Sequence, residues 1–305
     1  MTTGQAGIRV LVLRPGALGD AVVTEPVLGS LRAAWPDAAI HVGGRAEYLA
    51  LLVGGADADR CLSYDAAPFT SLFSDGPVRL PHYEAVLAFL PDPDNRLRER
   101  LGSIADAVSV LDPRPPGGRH IVDHLLTALR PLDVPPTRGQ PEIVPVDEWR
   151  QAAAPLRPAT RYAVIHVGSG GAEKRWPAER WAQVIERLTP TPVVLTCGPA
   201  DREAVAGVQA GGGPSEHVTV AAGRPVTAVA GLLADAAMYV GCDSGVTHLA
   251  AALGVRTVAV FGPTDPAVWA PRGEHVTVVR GGDGTTASVR PDAVISAAAR
   301  AWAPT

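Results

Sequence analysis

What most constrains this chain is an alternation that recurs along nearly its whole length. A short apolar run gives way to a turn rich in glycine or proline, and apolar residues at helical spacing follow. In the first half the spacing predicts strands at Ile8–Leu13, Ala39–Val42 and Tyr83–Leu90, and helices at Ala21–Ala34, Ala46–Leu52 and His120–Leu129. The pattern weakens between Leu52 and Tyr83. The segment "PDPDNRLRER" reads as a loop leading into a charged stretch, and Asp112–Gly118 as a Pro/Gly-rich loop. Seven prolines between Pro131 and Pro158 read as a linker holding a short helix near Asp147–Ala154. A second series then predicts strands at Tyr162–Val167, Pro192–Thr196, His217–Val220, Ala237–Val240, Thr257–Phe261 and His275–Val279. Its helices are expected at Ala178–Leu188, Ala200–Gln209, Val226–Ala234 and Val246–Leu253, with Gly211–Pro214 as a surface loop. Such repetition implies α/β units whose parallel sheets carry helices on both faces. The expected units are residues 1–154 and 155–305, with a cleft between them. The closing helix Pro291–Trp302, within 291–303, packs either on its own unit or back on the first.

Composition narrows the classes. An apolar fraction of 47% against 19% charged residues describes a folded globular chain. No apolar run is long enough to span a bilayer, and "MTTGQAGIRV" lacks the basic start and apolar core of a secretory signal. Cys61, Cys197 and Cys242 lie far apart, which fits a reducing compartment and a cytoplasmic protein. A net charge of −4 with scattered basic residues leaves no footprint for nucleic acid. Lys174 is the single lysine among 27 basic residues. This is the mark of a GC-rich coding bias, and a lysine retained against it points to chemistry, with chance the alternative.

Three turns carry candidate chemistry. In "LRPGALGDA" a strand ends, two glycines follow, and Asp20 stands where a helix is about to begin. An acid there is a helix cap or a catalytic base. In "VIHVGSGGAEKRWPAERW" the amides of Gly168-Ser169-Gly170-Gly171 can wrap a phosphate with Lys174 in reach, although the loop lacks the GK[ST] ending of a Walker motif. In "VGCDSGVTHLAAALGVRTVAVFGPTDP" a strand runs into Asp243-Ser244-Gly245, where Asp243 is the expected N-cap. The amides that follow form an anion site, with hydroxyls from Ser244 and Thr247 and with His248 in the first turns. The plainer alternatives are a capping Asp243, a satisfied core His248 and a solvated Lys174. Elsewhere Asp92 and Asp94 read as a turn, His120 and His124 lack a metalloprotease glutamate, and no serine sits in GxSxG. No metal site is expected, and the absence of GxGxxG weakens a dinucleotide reading.

The segments "RVLVLRPGALGDAVVTEPVLGSLRAAWPDAAI", "HVGSGGAEKRWPAERWAQVIERL" and "GCDSGVTHLAAALGVRTVAVFGPTDP" together resemble the heptosyltransferase-type glycosyltransferases of family 9. The resemblance implies a GT-B fold, two Rossmann-like domains facing each other across a cleft. The first domain would bind the acceptor and the second the nucleotide sugar. It also implies an inverting, metal-independent transfer from an ADP- or GDP-linked sugar to a glycan or natural-product hydroxyl, with no cofactor. Under it Asp20 is the general base, and Ser169, Gly170, Lys174, Asp243, Ser244, Gly245 and His248 surround the donor diphosphate. Glu203, after "CGPAD", is the ribose acid, and Pro15, Gly16 and Gly19 form the acceptor-side loop. Lipopolysaccharide-directed members often carry serines where this chain has Pro15-Gly16-Ala17. Rival readings are a nucleotide-sugar epimerase of the same fold and a nucleotide-sugar-binding partner without turnover, with a dehydrogenase more remote.

Overall fold

A computed structural model describes residues 7–198, 201–212 and 216–303, and the chain divides into two compact units between Ile143 and Val144. Ala200 of the predicted helix, and Gly213 and Pro214 of the predicted loop, lie outside the described residues. The first unit runs β1 (Arg9–Leu13), α1 (Leu18–Ala34), β2 (Ala39–Gly44), α2 (Ala46–Gly55), β3 (Arg60–Ser63), α3 (Ala67–Thr70), β4 (Tyr83–Ala88), α4 (Arg96–Gly102), β5 (Ala105–Val110) and α5 (Ile121–Leu126). Its strands form one parallel sheet in the order β3-β2-β1-β4-β5, with Val10 level with Ile40 and Ala85. β1 reads as an unbroken apolar run because Val10–Leu13 are buried at the sheet centre, with both faces covered.

Two strands of this sheet are absent from the sequence reading. β3 is a four-residue edge strand with no buried residue, and β5 alternates small and polar residues along the opposite edge. The charged stretch after "PDPDN" is α4, and Asp92 accepts from the Leu97 and Arg98 amides at 2.9 and 3.0 Å, so it caps that helix.

The second unit runs α6 (Asp147–Ala153), β6 (Ala163–His166), α7 (Ala178–Leu188), β7 (Val193–Cys197), α8 (Arg202–Gly212), β8 (Val218–Ala222), α9 (Val226–Ala234), β9 (Met238–Cys242), α10 (Gly245–Ala252), β10 (Thr257–Phe261), α11 (Pro266–Trp269), β11 (Val276–Arg280) and α12 (Pro291–Trp302). Its parallel sheet has the order β11-β10-β9-β6-β7-β8. The boundary falls before α6 and not after residue 154, because α6 belongs to this unit's packing. Trp149 and Ala153 are buried, and Gly231 of α9 lies so close to the Trp149 carbonyl that any Cβ there would collide with it. Between the two alternatives for the closing helix, α12 buries Val294, Ala297 and Ala298 in the second unit's own core.

Both sheets are wound from the middle outwards. After β3 the chain returns to the far side of β1 as β4, and after β8 it returns to the far side of β6 as β9. The carboxyl ends of β1 and β4, and of β6 and β9, therefore flank topological switch points, where open α/β sheets bind ligands.

One buried acid gives the first unit a pH response. Glu25 of α1 is fully buried, its carboxylate accepting from Arg138 and, at 2.7 Å, from the Glu142 amide. Arg138 also reaches Asp57 at 2.8 Å, and its guanidinium lies over Gly29, where a Cβ would meet it. Burial raises the Glu25 carboxyl from 4.5 to about 7, against the pull of the Glu142 amide and Arg138. Because the folded value lies above the unfolded one, the stabilisation is complete below pH 4.5 and is lost as pH rises through about 7. Denaturant titrations of wild type and Glu25→Gln across this window isolate the effect. Wild type loses up to about 3 kcal/mol relative to the variant, and parallel curves would refute it.

Candidate functional site

The first switch point is built around Asp20. α1 begins at Leu18, three residues earlier than the apolar pattern suggests, so Asp20 sits inside the first helical turn. The Ala17 amide donates to its Oδ2 at 2.8 Å, which holds the early start. Oδ1 accepts from Nη2 of buried Arg14 at 2.6 Å, and burial lowers the Arg14 pKa against the upward pull of Asp20. The Arg14 guanidinium in turn lies 6.0 Å from the centroid of the Phe89 ring, beyond the end of β4. Both alternatives for Asp20 thus have a physical basis. It caps α1, and each carboxylate oxygen keeps a lone pair for a proton or a hydroxyl. Pro15, Gly16 and Gly19 lie half-buried in the same turn, and Gly16 is required because a Cβ would strike the Asp20 carboxylate.

At the second switch point the loops after β6, β9 and β10 meet. Nζ of Lys174 donates to Oδ2 of Asp243 at 2.8 Å, and the Thr264 hydroxyl donates to the same oxygen at 2.7 Å. The Ser169 hydroxyl donates to the Asp243 carbonyl at 2.8 Å, fastening the glycine-rich loop to the end of β9. Trp176 anchors the far side of that loop. Its Nε1 donates to the Val289 carbonyl at 3.1 Å, and its ring stands edge-on to Trp181. Gly170 is exposed with open space around it, so packing does not demand a glycine there.

The structure corrects the expected cap. Ser244, not Asp243, is the N-cap of α10, its Oγ accepting from the Thr247 amide at 3.4 Å. Asp243 is only 8% exposed, and a carboxylate so placed gains more from a cation and a hydroxyl than from a helix amide. The Thr247 hydroxyl is also not a ligand donor. It is fully buried, donates to the Cys242 carbonyl and lies 3.0 Å from the Tyr239 hydroxyl. Gly245 opens α10, and its leading amides have no acceptor within the helix. His248 is buried one turn further on. Glu203 is exposed in the first turn of α8.

Ser169, Lys174, Asp243 and Ser244 therefore share one site in the second unit, while Asp20, Pro15, Gly16 and Gly19 share another in the first. Sequence reasoning missed Thr264 and Arg14, although each stands in a segment it had marked. It also missed Asp201, considered below. Among the described residues there is no group of three or more His, Cys, Asp or Glu side chains placed to hold a metal ion, and no helix long and apolar enough to cross a membrane.

This pair of parallel-sheet α/β units is the GT-B glycosyltransferase architecture. A glycosyl transferase family 9 protein from Veillonella parvula superposes with a TM-score of 0.78, covering 97% of each chain at 22% identity. Escherichia coli heptosyltransferase WaaC, solved with ADP, superposes with a TM-score of 0.76, covering 96% of this chain and 100% of that one at 20% identity. The profile of glycosyltransferase family 9 (heptosyltransferase) matches residues 94–295, and the chain belongs to that family. Lipopolysaccharide heptosyltransferase 3 of E. coli K12 is 31% identical over 167 residues, 52% of this chain and 48% of that protein. The match thus spans about half the length of that relative.

Proposed function

We propose that the chain is an inverting glycosyltransferase that moves a heptose from an ADP-linked donor to a hydroxyl of a glycan or natural-product acceptor, with no metal in the transfer step. The observation that carries this reading is the Lys174–Asp243–Thr264 network at the switch point of the second sheet. An ammonium has three N–H donors and Asp243 takes one, which leaves two for the oxygens of a diphosphate. The N-terminus of α10, opened by Ser244 and Gly245, adds backbone amides and the positive end of the helix dipole. Together they offset the charge that develops on the departing diphosphate, the task a divalent cation would otherwise perform. His248 lines the same helix start, and Glu203 offers a carboxylate to the donor ribose.

Asp20 supplies the other half of the chemistry. As the acceptor oxygen bonds to the anomeric carbon, the carbon–oxygen bond to the diphosphate breaks on the opposite face. The hydroxyl proton passes to the Asp20 carboxylate, which Arg14 and the Ala17 amide hold in a fixed orientation. Family membership and the heptosyltransferase names of the curated relatives support the sugar, and the ADP in the solved WaaC structure supports the nucleotide.

Thermal unfolding with ADP, GDP, UDP, dTDP and NAD at equal concentration tests the donor. ADP raises the melting temperature most, since a ligand at a hundred times its Kd adds about 2.7 kcal/mol to the folded state. A shift with NAD alone, or with no nucleotide, overturns the reading.

A further inference from the structure

Taking Lys174 as the donor-phosphate contact, we infer that Asp201 is a positioning residue that grips both ends of the loop 168–175 and thereby fixes where Lys174 stands. Asp201 lies just before α8 with its carboxylate buried. Its Oδ2 accepts from the Gly198 amide at 3.0 Å, which fastens it to the end of β7. The same carboxylate rests on Gly168, the first residue of the loop, where any Cβ would collide with it. Its Oδ1 lies 3.8 Å from Nη2 of Arg175, the residue that follows Lys174.

Two neighbouring cations are thus claimed by two different acids. Arg175 has extended backbone, so its side chain departs from that of Lys174. Arg175 goes to Asp201, and Lys174 goes to Asp243. The division fixes the rotation of the chain at this point, and with it the direction of the ammonium. Stability alone is a poor account of the arrangement. Oδ1 of Asp201 accepts no hydrogen bond among the described residues, and a buried carboxylate left so under-satisfied is costly. His166 is buried at the end of β6 with its Nδ1 3.1 Å from the Thr196 carbonyl, and burial lowers its pKa while Asp201 pulls it upward. Arg175 faces Asp201, which leaves Asp243 to Lys174 and Thr264.

The single lysine supplies a direct test. Endoproteinase Lys-C has one possible cleavage site in the full chain, the bond after Lys174. Asp201→Asn keeps the shape and the Gly198 contact but loses the charge. Lys-C cuts this variant about tenfold faster than wild type, and its Kd for ADP rises about tenfold, while the melting temperature without ligand stays within about 2 °C. Arg175→Gln, which leaves the buried carboxylate untouched, reproduces both effects if Asp201→Asn proves too unstable to purify. Arg175→Lys restores them in part, and the double variant is no worse than either single one. Unchanged cleavage and unchanged ADP affinity overturn the inference, as do effects of the two variants that simply add. If cleavage accelerates but wild type binds no ADP, Asp201 still positions the loop and the donor reading falls. If wild type binds ADP and neither measure moves in the variants, the donor reading stands and the positioning role falls.

Discussion

Lys174→Ala weakens ADP binding by about 10- to 100-fold in isothermal titration calorimetry, while the chain remains folded. Two effects act in the same direction. The variant lacks a charge-assisted hydrogen bond to the diphosphate, a contact worth about 1.5–3 kcal/mol. It also uncovers Asp243, whose carboxylate is nearly buried and keeps, among the described residues, only the Thr264 hydroxyl as a side-chain partner. An uncompensated anion at the start of α10 repels the group that the helix amides would attract. The second effect can be measured separately. Asp243→Asn in the Lys174→Ala background removes the repulsion and recovers part of the lost affinity, so the two changes do not add. Lys174→Arg recovers less than the retained charge suggests, because a planar guanidinium cannot occupy the position of an ammonium held between Asp243 and a phosphate. An ADP affinity unchanged in Lys174→Ala refutes the assignment of this site.

Sequence and structure agree where local chemistry decides the outcome and diverge where distant residues do. β1, β6, β9 and β10 are legible because a central parallel strand buried on both faces must be apolar throughout. The edge strands β3 and β5 are not, since an edge needs no such run and their residues alternate or lie open to solvent. The turns that carry Asp20, Lys174 and Asp243 were legible from glycine placement after a strand. The partner of each acid was not. Lys174 and Asp243 are 69 positions apart, Asp243 and Thr264 are 21, and nothing in the local pattern of one names the other. The misplaced cap follows from this, because Asp243 beside Ser244 is a good cap on local grounds and loses that role only when Lys174 arrives from another loop. The unit boundary was misplaced for the same reason. Proline density marks a linker, but the seat of α6 on Gly231 of α9 is a packing fact with no signature near residue 147.

Asp20→Asn separates the two roles that the structure gives this residue. As a cap, Asp20 needs only an acceptor for the Ala17 amide, and an asparagine carbonyl provides one. As a base it needs a group that takes a proton, and an amide does not. The expected result is a fall in kcat of about a thousandfold, with the ADP affinity of wild type retained, because the residues proposed to hold the diphosphate lie in the other unit. Stability falls, since Ala17 and Arg14 donate to different oxygens of Asp20 and an asparagine offers only one, which leaves buried Arg14 the backbone carbonyl of residue 20 but no anion. Arg14→Met gives the complementary case. It leaves the Asp20 carboxylate able to take a proton but removes the contact at 2.6 Å that orients it, so kcat falls less than in Asp20→Asn. Turnover is followed by ADP release with ADP-heptose and an acceptor extract, and stability by thermal unfolding. If Asp20→Asn lowers the melting temperature yet turns over at the wild-type rate, Asp20 is a helix cap, and the base must be sought among other residues around the first sheet's switch point.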